Sequence, residues 1–290
     1  MTPRQSKVCR FLFRQWSRLH VLSRPRACIL CYHSVHPAAG SRFLTPERFE
    51  AHLDWLRGHC DLVLPGALAA QPVGPRAGRP RVAVTFDDGH SDNYEYAFPL
   101  LRKHRAPAAF FLTAGYLDGL PAVIDRFRAF LGRDGREPAP MSWAQAREMA
   151  AAGLEMAAHT YTHPNLNFLD RSELDFEIRQ SKMLLEDRLG RPVNGFAYPY
   201  GKPKSQFDRR AVELVRAAGY RYAVTTVSRG LRRADSLWTL PRLSIGGDAV
   251  TTLAEKISGA WDPLGYFHEW APQWLIRLVA PRAFDEFAYY

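Results

Sequence analysis

Residues 81–89, RVAVTFDDG, join the pattern of a buried strand to two adjacent carboxylates. The run from Val82 to Phe86 is apolar apart from one threonine, as expected of a strand covered on both faces in a parallel sheet. Asp87 and Asp88 follow at once, and neighbours at a strand end turn in different directions, so one can bind a metal while the other faces a substrate. Asp-Asp-Gly is also an ordinary turn sequence, and alone the stretch leaves that interpretation open.

On either side, the chain alternates strand-like apolar runs with amphipathic helical segments, which is typical of parallel β/α architecture. The predicted strands are 27–35, 81–86, 108–113, 154–159, 195–198, 220–225 and 240–245. The predicted helices are 46–59, 92–104, 142–152, 171–190 and 207–219, and 114–141 is predicted to be a long connection. About seven parallel strands predict an α/β fold, a distorted or incomplete (β/α) barrel, with a doubly wound sheet as the alternative.

Three further polar motifs follow predicted strands, where sites lie in both folds. In His159-Thr-Tyr-Thr-His163-Pro164 the proline disfavours a helix at His163, so the two imidazoles are expected on a strand-to-loop transition, as ligands of one metal or as structural histidines. The turn 196–201, FAYPYG, could aim a backbone N–H into a pocket. The strand that contains Cys28 and Cys31 on opposite faces ends in His33, and a lone strand-end histidine is more often structural.

In this order, TFDDG, HTYTHP and FAYPYG resemble the motifs of the polysaccharide deacetylase family, also called the NodB-homology family or carbohydrate esterase family 4. The resemblance covers residues 27–246. The early Tyr32-His33 is similar to the arrangement in the poly-N-acetylglucosamine deacetylase branch, where the catalytic histidine comes from the first strand. The resemblance implies a NodB-like barrel and a hydrolase.

The resemblance also implies a role for each motif residue. Asp88, His159 and His163 would bind one divalent metal ion, zinc in particular. Asp87 would be the general base, His33 the general acid, and the backbone N–H of Tyr200 would help to stabilise the oxyanion. These roles match what amide hydrolysis needs, namely an activated water, a stabilised oxyanion and a proton for the leaving nitrogen.

The implied reaction is removal of an N-acetyl group from an amino sugar in a glycan or lipid-linked saccharide. Two alternatives stay open: hydrolysis of an acetyl ester or other small amide on the same scaffold, and a non-catalytic carbohydrate-binding relative. One position departs from the family pattern, because the third motif usually carries an arginine that orients the base, and Ala197 stands there. Lys202 is a hypothetical replacement for this arginine.

The net charge of +10 is concentrated near the N-terminus, since eight basic residues precede the first acidic one, Glu47. The rest is nearly neutral, which does not indicate nucleic-acid binding. Residues 7–19 project as a basic amphipathic helix that would either contact an anionic membrane or pack on the domain. We predict a basic arm (1–26), a catalytic domain (27–247) and an aromatic-rich extension (248–290). No signal peptide or membrane-spanning run is evident, which predicts a cytoplasmic protein, peripheral at the membrane if the arm binds it.

Overall fold

The structure, a computed structural model, describes residues 26–37, 44–71, 78–131, 139–263 and 265–266. The predicted amphipathic segment 7–19 lies outside these residues. Within them, one parallel sheet has the order β7-β6-β5-β4-β3-β1-β8, and β2 pairs separately with β3. The strands are β1 (Ala27–Tyr32), β2 (Asp61–Leu62), β3 (Arg81–Asp88), β4 (Ala108–Leu112), β5 (Glu155–Ala158), β6 (Gly195–Ala197), β7 (Tyr222–Val224) and β8 (Leu243–Ser244).

The sheet curls because one segment of chain contacts both of its edges. At the β7 edge, the N–H of Thr225 donates to the carbonyl of Leu240 over 2.8 Å. At the β1 edge, the N–H of Ile245 donates to the carbonyl of Cys31 over 2.8 Å. We call residues 237–245, which lead into and form β8, the closing segment. The prediction of a distorted or incomplete (β/α) barrel with about seven parallel strands is confirmed, and β2 is an additional two-residue strand.

Helices cover the outside of the curled sheet, and all five predicted helical segments are present. The helices are α1 (Pro46–His59), α2 (Pro65–Ala70), α3 (Phe98–Lys103), α4 (Ala114–Leu117), α5 (Pro121–Leu131), α6 (Trp143–Ala151), α7 (Arg171–Leu189), α8 (Arg209–Ala217) and α9 (Val250–Ser258). A π-helical turn, Asn93–Ala97, precedes α3. The connection 114–141 contains α4 and α5, which the Pro and Gly interruptions of this stretch hid from the sequence pattern.

Side chains alternate between the two faces of each strand, and the side chains on the two faces differ in size. Val82, Val84 and Phe86 of β3 pack outward in the main core beneath the helices. The inward positions of several strands are small, and a second buried cluster contains Ala27, Ala83, Ala109, Ala157 and Ala197. An interior lined by alanines leaves room for a large side chain among the strands.

The two β1 cysteines lie on opposite faces, as predicted. The thiol of Cys28 contacts the carbonyl of Ile257 in α9 at 3.9 Å, whereas the thiol of Cys31 lies 3.5 Å from a carboxylate oxygen of Asp87. Both are free thiols. Helix α9 follows the predicted boundary at 247 and buries Leu253 in the main core, while the division into arm, domain and extension stays a prediction.

Candidate active site

Three side chains that follow strands β3 and β5 meet at the carboxyl end of the barrel. Asp88 Oδ1 lies 3.6 Å from His159 Nε2 and 3.6 Å from His163 Nε2. All three residues are buried. We call Asp88, His159 and His163 the Asp-His-His cluster.

Left-handed backbone turns aim these side chains at one another. Asp88 has φ 76° and His163 has φ 58°, values that residues with a side chain adopt rarely. Thr160 and Tyr200 share this conformation, so four of the six non-glycine residues with positive φ in the described ranges belong to the site loops. Such conformations persist where surrounding contacts hold them, and they concentrate at functional sites.

Hydrogen bonds orient the ring of His159 and hold the backbone of His163. His159 Nδ1 lies 2.8 Å from the carbonyl of Ala197, which fixes the proton on Nδ1 and leaves the lone pair of Nε2 towards Asp88. The N–H of His163 donates to Thr160 Oγ1 at 3.0 Å, and Arg126 of α5 donates to the carbonyl of His163 at 3.1 Å. Burial, together with the neighbouring His159, lowers the pKa of His163 to about 3, so its ring is neutral at physiological pH.

The second oxygen of Asp88 contacts a histidine that the sequence did not single out. His90 Nε2 lies 3.2 Å from Asp88 Oδ2, and His90 Nδ1 lies 3.3 Å from the hydroxyl of Tyr116 in α4. Burial alone would raise the pKa of Asp88, but the hydrogen bond and charge of His90 hold it well below its usual range. Phe127 of α5 packs its ring 5.3 Å from His90 and 5.4 Å from His163. The 114–131 connection therefore forms an apolar wall around the cluster.

The Asp-His-His cluster fits a divalent cation by its chemistry and its spacing. One carboxylate oxygen and two neutral imidazole nitrogens are a common donor set for zinc. Two donors about 2.0–2.2 Å from one tetrahedral ion are roughly 3.4 Å apart, close to the 3.6 Å between Asp88 Oδ1 and each ring nitrogen. At that distance the atoms are too far apart for good hydrogen bonds with one another. Binding of a metal by these residues stays a prediction.

Asp87 points into the barrel and forms a buried ion pair with the closing segment. Arg242 donates from Nη1 to Asp87 Oδ1 at 2.6 Å and from Nη2 to Oδ2 at 2.5 Å. Arg242 is fully buried, donates from Nε to the carbonyl of Thr225 at 3.0 Å, and lies 5.3 Å from the ring centre of Phe111. Burial would raise the pKa of Asp87, but the guanidinium of Arg242 lowers it below its usual value, which keeps the carboxylate ionised.

The cation that pairs with Asp87 in the described contacts is therefore Arg242, in the place that the sequence hypothesis gave to Lys202. Ala197 stands inside the barrel, where its small side chain belongs to the same alanine-lined cluster that surrounds the guanidinium. The signal in the sequence was a charged residue within the apolar predicted strand 240–245, because arginine is almost never buried without a partner. The pairing itself joins residues 155 positions apart.

His33 lies beside Asp87, on the side of β1. One side-chain donor atom from each of Cys31, His33 and Asp87 lies within 4.8 Å of the others. Asn93, in the π-helical turn, donates to the carbonyl of His33 at 2.9 Å and so fixes the backbone at the end of β1. Burial lowers the pKa of His33, and the nearby carboxylates of Asp88 and Asp87 oppose that shift.

Tyr200 completes the loops around the Asp-His-His cluster. Its ring centre lies 4.8 Å from that of His163, and its carbonyl accepts a hydrogen bond from Thr226 at 2.7 Å. Gly201 follows with φ 66°, and a Cβ there would lie 2.6 Å from the backbone nitrogen of Thr226. Only glycine fits this turn, which holds Tyr200 next to the cluster. All six predicted site residues thus surround one region, and their roles stay predictions.

Comparison with known proteins identifies the family. Residues 74–223 match the sequence model described as polysaccharide deacetylase. The chain is 25% identical over 238 residues to the poly-beta-1,6-N-acetyl-D-glucosamine N-deacetylase of Staphylococcus aureus (strain MRSA252), an alignment that covers 78% of this chain and 73% of that protein. This similarity supports the predicted branch.

Solved structures share the fold of this chain. The Streptococcus pyogenes deacetylase PplD in complex with acetate superposes with a TM-score of 0.66 at 23% identity, over 81% of this chain and 98% of that one. IcaB from Ammonifex degensii gives 0.63 at 26% identity, over 81% and 98%. In the described residues, we find no helix with the length and hydropathy that crossing a bilayer requires. The family match covers more than half of the chain and the fold agrees with it, so this protein belongs to the polysaccharide deacetylase family, hydrolases that act on carbon–nitrogen bonds other than peptide bonds.

Proposed function

We propose that this enzyme is a metal-dependent N-deacetylase that removes the acetyl group from an amino sugar in a glycan. The observation that carries the proposal is the position of Asp88 Oδ1 at 3.6 Å from both imidazole nitrogens, beside the paired carboxylate of Asp87. The similarity to a protein named for poly-N-acetylglucosamine deacetylation supports the choice of substrate. Zinc is the cation that the donor set favours.

Asp88, His159 and His163 would hold the cation. When bound, a divalent cation acidifies a coordinated water and polarises the acetyl carbonyl. Asp87 is ionised because of Arg242 and would accept the proton of the attacking water. The pair with Arg242 also prevents rotation of the carboxylate, so the accepting oxygen has a fixed direction.

His33 would donate the proton that the leaving amine needs. Its lowered pKa makes the protonated ring a stronger acid, which favours transfer to the nitrogen as the carbon–nitrogen bond breaks. The backbone N–H of Tyr200 would donate to the developing oxyanion from the loop beside His163. These residues supply the base, the acid and the oxyanion donor from three different strand ends.

Metal removal combined with an Asp87 variant tests this function. The purified full-length chain is assayed for acetate release from β-1,6-linked N-acetylglucosamine oligomers, before and after dipicolinate treatment and after zinc is restored. We expect activity to disappear with the chelator, to return with zinc, and to be lost in Asp87→Asn with the metal content unchanged. Full activity of the metal-free protein, or of Asp87→Asn, would contradict the proposal.

We also propose that the basic segment 7–19 contacts an anionic membrane, which would bring a cytoplasmic enzyme to lipid-linked or membrane-proximal glycan. Its support is the sequence pattern alone, in which an apolar side with Phe11 and Trp16 faces away from arginines. Flotation with phosphatidylglycerol vesicles, with and without residues 1–24, tests it. Equal flotation of the two proteins would contradict it.

A further inference from the structure

The loop that carries His159 and His163 also carries the large apolar side chain with the highest exposure in the described residues. Phe168 is 84% exposed, on a single 3₁₀ turn (Leu166–Phe168). Leu166, two residues earlier, is buried, so the same turn buries one apolar side chain and exposes another. An exposed aromatic residue next to a catalytic loop indicates contact with a ligand more often than one on a distant surface.

The turn that presents Phe168 is held by hydrogen bonds on both sides. Asn165 accepts through its side chain from the N–H of Asn167 at 3.1 Å, and its carbonyl accepts from the N–H of Phe168 at 3.2 Å. The side chain of Asn167 donates to the carbonyl of Lys204 at 2.8 Å, in the loop that follows Tyr200. Phe168 therefore stands on backbone fixed between two loops of the active site.

The position of Phe168 suits a neighbouring subsite. It follows His163 by five residues, which limits their separation to about 18 Å, and both lie beyond the carboxyl end of β5. The further sugars of a glycan whose acetyl group reaches the Asp-His-His cluster would lie within reach of this turn.

We propose that Phe168 is a stacking platform for a sugar ring next to the one that is deacetylated. This inference rests on the proposed function and names a further substrate-binding residue. The C–H groups on one face of a β-linked pyranose form an apolar, weakly positive surface, which matches the negative face of an aromatic ring. Stacking of this kind adds affinity without fixing the sugar that undergoes reaction.

Charges of both signs surround Phe168. Asp170 and Glu173, both exposed, follow directly and form the capping box of α7. Hydrogen bonds from the backbone N–H of Glu173 and from Ser172 lower the pKa of Asp170, so this carboxylate is negative at neutral pH. It would attract the ammonium groups of sugars that are already deacetylated, while the exposed Arg171 and the half-buried Arg210, which donates to the carbonyl of Leu169 at 3.3 Å, carry the opposite charge.

Acetate-release kinetics on a single N-acetylglucosamine glycoside and on the β-1,6-linked pentamer test the platform. We expect Phe168→Ala to raise KM for the pentamer about ten-fold with kcat unchanged, and to leave the single sugar within about two-fold of wild type. Phe168→Trp should restore the pentamer KM. Met183→Ala is the matched control, because Met183 is also strongly exposed (64%) but lies farther along α7.

Equal pentamer KM for Phe168→Ala and wild type would overturn the inference, and so would an equal loss on both substrates. Loss of vesicle flotation by Phe168→Ala with an unchanged pentamer KM would assign the side chain to a lipid surface and would also overturn it. Calorimetry with the pentamer separates the two proposals. If the wild type binds the pentamer, Phe168→Ala does not, and the wild type releases no acetate, the platform stands and the deacetylase function fails.

Discussion

The two halves of the active site are built differently, although their aspartates are adjacent in sequence. The Asp-His-His cluster lies in loops within residues 74–223, and left-handed turns at Asp88 and His163 bring its atoms together. The Asp87 half lies inside the barrel, where Asp87 meets Arg242, just before β8, and His33, just after β1, both outside the matched residues. The first half depends on loop conformation near its own motifs, whereas the second half depends on closure of the barrel.

The largest effect is expected at the Asp-His-His cluster. Asp88→Asn would remove the charged ligand of the proposed metal, and we expect bound zinc to be lost and acetate release to fall by more than about 1,000-fold. Elemental analysis and kinetics on the same preparation measure both. Asp125→Asn, an exposed carboxylate on α5, is the control and should keep metal and activity. A metal-loaded, active Asp88→Asn would contradict the metal-binding role of this half.

The second-largest effect is expected at Arg242. Arg242→Met leaves the buried carboxylate of Asp87 unpaired, which costs about 3–5 kcal/mol of unfolding free energy, and activity should fall roughly 100-fold with the metal retained. Urea unfolding, metal content and kinetics measure the three quantities. Asp87→Asn/Arg242→Met should regain most of the stability but not the activity, and Lys202→Ala should leave activity unchanged. Loss of the metal from Arg242→Met would show that the Asp-His-His half depends on the Asp87 half.

A smaller effect is expected at Cys31, whose thiol lies 3.5 Å from Asp87 Oδ2. The thiol is a weak donor, and Arg242 holds the same oxygen, so Cys31→Ala should lower kcat less than about five-fold. Cys28→Ala, on the other face of β1, should leave kcat unaltered. Equal kcat effects for the two cysteines would mean that the interior face has no special relation to the base.

The smallest effect is expected at Glu155, at the start of β5 and away from both halves. Burial raises the pKa of Glu155, while the hydroxyl of Tyr222, 2.8 Å away, opposes the shift. The folded state thus binds the proton more tightly, and wild-type stability falls as pH rises from the unfolded pKa of about 4.3 through the folded value. Glu155→Gln should flatten this fall, with unaltered kcat. Unfolding curves at several pH values would detect it, and identical pH profiles would contradict it.

The sequence predicted the fold and the Asp-His-His cluster because both follow from local patterns. Apolar runs located the seven main strands, and parallel strands bring their carboxyl ends to one side. Arg242 was missed as the partner of Asp87 because no local pattern links residues that meet only when the barrel curls. His90 was missed because the motif gives no direction for its side chain. Helices α4 and α5 were missed because Gly115, Gly119 and Pro121 divide them into short pieces.

Delivery of the guanidinium by the closing segment has a consequence for the newly made protein. Residue 242 leaves the ribosome long after Asp87, the histidines and most of the strands. A nascent chain that has already assembled its loops still lacks the cation that fixes Asp87, so this aspartate gains its partner only after residue 242 has emerged. Chains that stop before this segment would lack that partner even if their loops bound a metal.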